Sequence, residues 1–152
     1  MKQAIICLVL LLTSCICLIS CDKKKKKEEV AIIPTDSVYF YAVVDSLTFT
    51  SSNTKALYFN TNNPYLTITG QTGPDSNDKT ISLRIDNFLN QAGVYPISNL
   101  SDAKASYSKN NKSSETADSG RIVIYSIGKS IRGSFSFYTE HHMISSGTFS
   151  AQ

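Results

Sequence analysis

The sequence predicts an all-β fold, an antiparallel β-sandwich or barrel of about ten short strands that follows an N-terminal signal segment. The chain has 152 residues, which is enough for one domain. From residue 30 onward, β-branched and aromatic residues alternate with Ser and Thr, a pattern typical of strands with one solvated face. This part contains all eight Tyr and all seven Phe, and it shows no sustained 3.6-residue apolar repeat.

The first element is an apolar segment, residues 4–19, which Lys2 precedes. It is short for a membrane-spanning helix, which needs about 20 residues, and its length is typical of a signal peptide. The segment ends in Leu18-Ile19-Ser20-Cys21, which resembles the lipobox of bacterial lipoproteins. The resemblance implies that residues 1–20 are a lipoprotein signal peptide, that cleavage occurs before Cys21, and that the Cys21 thiol carries covalent lipid.

Residues 21–29 then comprise the lipidated Cys21 and a charged tether of sequence DKKKKKEE. Two acyl chains hold a protein stably on a membrane, so we expect a lipid-anchored protein of the cell envelope, at the outer membrane. The acidic end of the tether resembles a surface-sorting signal but lies farther from Cys21 than is usual, so the periplasmic and surface-facing sides both stay open. An uncleaved transmembrane anchor is the alternative, because lysines that follow an apolar segment resist translocation.

Residues 30–152 are predicted to form a single β domain. They contain nine basic and nine acidic residues, so no excess of positive charge favours a nucleic-acid partner. All four Cys lie within the first 21 residues, which excludes a disulfide or a Cys-ligated metal site in this domain.

The strands of this domain follow from the alternation of β-forming residues and from the turn residues between them. They are expected at residues 38–44, 46–51, 55–60, 65–71, 80–86, 93–98, 104–109, 121–127, 131–139 and 144–151. Asp45-Ser46 is the predicted turn between the first two. Pro96 cannot donate to a strand ladder, so its strand is expected at an edge or a bulge.

The alternation also predicts which side chains face the core. Ile81, Leu83 and Ile85 fall on one face of their strand, and polar residues fall on the other. Near the C-terminus, Phe135 and Phe137 share a strand face, and Phe149 is expected to meet them from the neighbouring strand.

A family resemblance appears in the closing strands, which contain Gly133-Ser-Phe-Ser-Phe and Ser146-Gly-Thr-Phe-Ser. With Tyr41-Ala-Val-Val-Asp and Gly93-Val-Tyr, this pattern resembles a group of small β-rich lipoproteins common in Bacteroidota. The resemblance implies architecture and location only, since that group carries no established activity. Asp36-Ser37-Val38 and Asp45-Ser46-Leu47 also resemble triplets that some of these bacteria O-glycosylate, and the alternative is that they are ordinary residues at strand edges.

Two tyrosines are the candidate binding residues. Residues 38–44 are apolar on both faces, and Tyr39 and Tyr41 share one of them. A strand of this kind is usually covered on both sides, yet tyrosine suits recognition because it combines a large contact area with a hydroxyl. We predict that at least one of the two rings is more than one-third exposed.

The sequence contains no pattern typical of catalysis. His141 and His142 are adjacent, so in a strand they would point to opposite faces and could not bind one metal ion together. In a hairpin loop they could, and a pocket that joined them to a carboxylate would favour an enzyme. We therefore expect no metal, no cofactor beyond the lipid on Cys21, and a non-catalytic binding or interaction module. Its partner is an envelope protein, a glycan or a small apolar ligand; the alternatives are a barrel-type carrier of such a ligand and, less favoured, an envelope enzyme.

Overall fold

The computed structural model describes residues 37–73, 78–110 and 114–152, so Cys21 and the charged tether lie outside the described residues. The described part is all-β, with eleven strands and no helix, and therefore no helix that could cross a membrane. In chain order the strands are β1 Tyr39–Val44, β2 Leu47–Thr50, β3 Asn53–Phe59, β4 Tyr65–Gln71, β5 Lys79–Asp86, β6 Gly93–Ile97, β7 Ala103–Lys109, β8 Glu115–Thr116, β9 Ser119–Ser126, β10 Ile131–Tyr138 and β11 Met143–Ala151. All ten predicted strands are present, and β8 is an additional short one.

All of these strands belong to one sheet, which curls into a half-barrel. The order along the sheet is β2-β1-β11-β10-β9-β6-β7-β5-β4-β3, and β8 pairs with β7. Neighbouring strands are antiparallel except β6 and β7, which share one parallel pair, Ile97 with Ala103. The predicted fold class is therefore confirmed, and the single parallel contact makes the sheet mixed.

The two end strands of the sheet, β2 and β3, are consecutive in the chain, and only Ser51 and Ser52 separate them. The backbone N–H of Ser51 donates to the Phe40 carbonyl in β1, whereas that of Ser52 donates to the Gln71 carbonyl in β4. The Ser51 hydroxyl also accepts a hydrogen bond from the Gln71 N–H at 2.9 Å. This bend carries the chain from one end of the sheet to the other, so the sheet has to curl around its core.

One cluster of buried side chains fills the inside of the half-barrel. The Phe40 ring lies 5.0 Å from that of Phe135 and 5.8 Å from that of Phe49, measured between centroids. A Cβ atom on Gly70 would lie 2.5 Å from the Phe40 ring, so β4 and β1 meet across the interior. The side chains predicted to face inward are all buried: Ile81, Leu83, Ile85, Phe135, Phe137 and Phe149.

The two Gly-x-Phe segments near the C-terminus face each other across β10 and β11. Gly133 pairs with Phe149, and Phe135 pairs with Gly147. In each pair the phenyl ring covers the glycine, since an added Cβ would lie 2.5 Å from the Phe149 ring or 2.6 Å from the Phe135 ring. Aromatic side chains opposite glycines stabilise paired strands in this way. The repeated motif therefore builds a tightly packed hairpin rather than a ligand site.

The predicted turn at Asp45-Ser46 is confirmed. Both residues have positive φ, 48° and 72°, as the type I′ turn of a two-residue hairpin requires.

The edge position expected for the Pro96 strand is wrong. β6 lies inside the sheet, because it pairs with β9 along its whole length. Proline is tolerated there because the other side of β6 carries one pair only, the one that Ile97 forms with β7.

Candidate functional site

The outward side of β9, β10, β11, β1 and β2 forms a continuous surface that we call the tyrosine face. One row of side chains crosses it at the same height: Thr50, Tyr41, Thr148, Ser134, Val123 and, on the adjoining strand β6, Val94. The Tyr125 hydroxyl hydrogen-bonds the Ser134 hydroxyl at 2.5 Å. Its side chain therefore extends towards β10, and the residue is 63% exposed. On the same face, Tyr138 of β10 lies opposite Met143 of β11, and both side chains are exposed.

The tyrosine face is almost free of charge. The five strands that form it contain no Lys, Asp or Glu, and their charged residues are Arg121 and Arg132. Protein interfaces are enriched in Tyr, Met and Arg and depleted of Lys, Glu and Asp. The face resembles an interface core in its exposed tyrosines and in its lack of Lys, Asp and Glu, and it differs from one in its serines, in which interface cores are depleted.

Of the two tyrosines singled out in the sequence, Tyr41 lies in the row described above and is 36% exposed, so the expected exposed ring is present. Tyr39 is partly buried and pairs with Ser150. Tyr125 and Tyr138 belong to the same face but come from strands 80 or more residues later in the chain. The alternation in β9 and β10 could have placed them outward, but only the strand order brings them beside Tyr41.

The two histidines belong to a second cluster, at the end of the sheet where the β1–β2 and β10–β11 turns meet. We call it the histidine clamp and define it by Asp45, Glu115, Thr139, His141 and His142. The His142 Nδ1 atom contacts the Asp45 carboxylate, and its Nε2 atom lies 3.8 Å from Glu115 Oε1. His141 Nδ1 lies 3.5 Å from the same oxygen. The Thr139 hydroxyl donates to Glu115 Oε2 at 2.8 Å. The clamp thus joins the two turns to β8.

Hydrogen bonds hold both carboxylates of the clamp in their charged form. The hydrogen bond from His142, followed by that from the Met143 backbone N–H, lowers the pKa of Asp45 below its usual value. The hydrogen bond from the Thr139 hydroxyl lowers the pKa of Glu115. Electrostatic attraction to the imidazoles of His142 and His141 lowers it further. Burial raises the pKa of the Tyr107 phenol, and the negative charges of Asp45 and Glu115 raise it further. The Tyr107 ring meets the His142 ring edge-on, with centroids 4.8 Å apart.

The directions of these pKa shifts suit the two carboxylates to ion pairing and hydrogen bonding within the clamp. A carboxylic acid that transfers protons near neutral pH needs a raised pKa, and both carboxylates here are shifted downwards. Among the described residues, no three His, Cys, Asp or Glu side chains are placed to hold a metal ion. The sequence did not predict the clamp, because Asp45 and Glu115 are far from the histidines along the chain.

Comparison with known families identifies the domain. A family model described as a domain of unknown function, DUF6252, matches residues 36–151. The chain belongs to the DUF6252 family. No curated protein and no solved structure matches it. The match covers all eleven strands of the half-barrel, so the tyrosine face and the histidine clamp both lie within the DUF6252 domain.

The histidine clamp predicts how the stability of the DUF6252 domain depends on acid. Because the folded pKa values of Asp45 and Glu115 lie below those of the unfolded chain, their contribution to stability is complete above about pH 5. This stabilising contribution is lost as the pH falls through the pKa values that the two carboxyl groups have in the folded state. We expect the thermal midpoint of the parent chain to fall below pH 4 more steeply than that of Asp45→Asn, measured by circular dichroism.

Asp118→Asn is the matched control for this measurement. Asp118 is exposed, and its carboxylate forms no ion pair with any of the described residues. The thermal midpoint of Asp118→Asn should depend on pH in the same way as that of the parent chain. Identical acid profiles for the parent and Asp45→Asn would show that the clamp does not stabilise the fold.

Proposed function

We propose that this chain is a lipid-anchored protein of the cell envelope, of the lipoprotein type common in Bacteroidota, and that it acts as a non-catalytic interaction module. In this proposal Cys21 carries the lipid, the charged tether separates the membrane from the half-barrel, and the tyrosine face docks another envelope protein. The composition and exposure of that face are the observations that carry the proposal. The lipobox-like residues before Cys21 support the anchor.

A protein partner suits the tyrosine face for physical reasons. Interface residues that contribute most to binding are enriched in Tyr, Trp and Arg, which provide large contact areas in desolvated pockets. Tyr41 and Tyr125 lie on strands that are three spacings apart, or about 14–15 Å. The Tyr125 side chain extends over β10 to Ser134, so the small residue Thr148 of β11 lies between the two rings. A partner could therefore contact both rings and still approach the sheet closely between them.

The two alternatives are less well supported. A carrier of a small apolar ligand needs an empty interior, whereas buried side chains fill the half-barrel across the described residues. An enzyme is favoured by the contacts that join His141 and His142 to carboxylates, but the lowered pKa values of Asp45 and Glu115 suit these two groups to ion pairing rather than to proton donation.

The partner can be trapped by a photo-crosslinking amino acid incorporated in place of Tyr125 in the native host. We expect ultraviolet light to join the chain to one discrete envelope protein, because this side chain lies in the proposed interface. The same replacement at Leu100, which is fully exposed in the β6–β7 loop away from the tyrosine face, should yield no such product. Adducts are resolved by gel shift and identified by mass spectrometry.

A second arm of the experiment tests the anchor. Cys21→Ser removes the thiol that accepts the lipid, so a clickable fatty acid should label the parent chain and not the variant. The Tyr125 crosslink should weaken in the same variant, because the chain is no longer held at the membrane. Equal crosslinking at Tyr125 and Leu100 would contradict the docking face, and labelling of the Ser variant would contradict the anchor.

A further inference from the structure

A shallow cleft of about 220 Å³ lies on the outward side of β3 and β4. It is lined by Asn53, Lys55, Leu57, Thr67, Thr69 and Gln71. These residues alternate with Leu66, Ile68 and Gly70, which face the core, so the cleft opens to solvent and not to the interior. Pockets for complete drug-sized ligands enclose about 300–1,000 Å³. The cleft is therefore sized for one unit of a larger molecule.

The lining of this cleft is polar and largely uncharged. It offers two hydroxyls, two amides and one ammonium group, with Leu57 as the apolar member. The Gln71 amide nitrogen also donates to the Asp78 carboxylate at 3.3 Å. Among the described residues, none forms a side-chain hydrogen bond with Thr67, Thr69 or Lys55. Hydroxyls and amides both donate and accept hydrogen bonds, so this set matches a ligand that carries many hydroxyl groups.

An aromatic platform continues from the cleft along the same face. Phe59 follows Leu57 on the outward side of β3 and stacks on Tyr65, with centroids 4.5 Å apart and an interplanar angle of 20°. The Arg84 guanidinium carbon lies 4.3 Å from the centre of the Tyr65 ring. Phe59 is 39% exposed, so part of its ring is available to a ligand. Because Tyr65 and Arg84 support Phe59, the platform is formed before any ligand binds.

The charges around the cleft leave one cation without a partner. Arg84 is paired with Asp86 through a 2.7 Å contact between Nε and Oδ1. Lys55 has no carboxylate within 4 Å among the described residues. An anionic group placed over the cleft would therefore gain a charge-assisted hydrogen bond with Lys55.

We propose that this cleft and platform bind an acidic oligosaccharide. One sugar ring stacks on Phe59, the hydroxyls of the next unit bind Thr67 and Thr69, and a uronic carboxylate pairs with Lys55. Phe59 and Lys55 are four residues apart on one strand, or about 13–14 Å, so the ligand spans more than one ring. The site is separate from the tyrosine face and does not depend on the protein partner proposed above.

The test is calorimetric titration of the full-length chain, purified in detergent, with oligogalacturonate and oligomannuronate and with the methyl esters of both. We expect at least one acid to bind, and its ester to bind about twofold to fivefold more weakly, as the loss of an ion pair with an exposed lysine predicts. Lys55→Gln should reduce the affinity for the acid to that of the ester. Phe59→Ser should weaken both forms.

Lys129→Gln is the control, because Lys129 is an exposed lysine in the β9–β10 turn and does not line the cleft. It should leave binding unchanged. The proposal is overturned if neither acid binds the parent chain, if Lys55→Gln binds the acid as tightly as the parent does, or if Lys129→Gln weakens binding equally. Lys55 is exposed, so Lys55→Gln is expected to keep the thermal midpoint of the parent, whereas Phe59→Ser should lower it slightly because it removes the stacking on Tyr65. The same samples report both midpoints.

Discussion

Replacement of Phe137 by alanine is expected to lower the free energy of unfolding by about 3–5 kcal/mol. Phe137 is 0% exposed, and its ring packs on that of Phe135 with centroids 6.2 Å apart. The substitution removes buried apolar surface and leaves a cavity in a core whose neighbours come from several strands and cannot close it. Since a domain of this size has about 5–15 kcal/mol of stability in total, the loss should lower the thermal midpoint markedly.

Ser136→Ala is the control for this prediction, because Ser136 is the preceding residue and points to the opposite side of β10. It should change the free energy of unfolding by less than about 0.5 kcal/mol, as surface substitutions usually do. Chemical denaturation of the two variants measures both values. If the two variants lost equal stability, the assignment of the two faces of β10 would be wrong.

The second large effect is expected from Gly133→Ala. A Cβ atom at this position would lie 2.1 Å from the Val123 carbonyl oxygen in β9 and 2.5 Å from the Phe149 ring in β11. The ring could move, but the carbonyl belongs to the backbone of a paired strand and cannot move without distorting that strand. Overpacking of this kind costs about 1–3 kcal/mol and sometimes more. We expect the free energy of unfolding, measured by chemical denaturation, to fall by at least that amount.

Gly128→Ala tests whether the effect belongs to the close approach and not to the loss of a glycine. No atom lies within 4 Å of a Cβ placed on Gly128, so this variant should be near neutral. The double variant Gly133→Ala with Phe149→Leu should not recover the stability of the parent, because the Val123 carbonyl remains in place. A stable Gly133→Ala variant would mean that β9 and β10 are farther apart than the structure places them.

The faces of the strands were predictable because side chains in a strand alternate with a period of two. Ile81, Leu83 and Ile85 are buried as expected, and so are the three phenylalanines of β10 and β11. Where the alternation was interrupted, the prediction was less complete. Phe88 is fully buried although it lies in the segment between β5 and β6, because its ring packs against Tyr58 and Tyr95.

The candidate sites were predictable only in part. Tyr41 could be found from its own strand, since one face of β1 carries two tyrosines. Tyr125 and the histidine clamp could not, because their partners come from strands and turns that are adjacent in space but distant in the chain. The Gly-x-Phe repeat was visible in the sequence, but its reason was not. Only the register of β10 against β11 shows that each phenylalanine covers the glycine of the other segment.

The sequence by itself determined the all-β class, the positions of most strands, the side chains that face the core and the lipobox-like segment that leads to Cys21. These features depend on local alternation, turn residues and short motifs, and all of them can be read within a few residues. The order of the strands in the sheet determined which side chains from distant parts of the chain became neighbours. It placed β1 beside β11 and not beside β3, so Tyr41 and Tyr125 lie on one face that carries no Lys, Asp or Glu. The bend at Ser51-Ser52 brought the two ends of the sheet together, because β2 and β3 pair with strands at opposite ends. Strand order depends on burying all the apolar faces at once, which no single segment encodes.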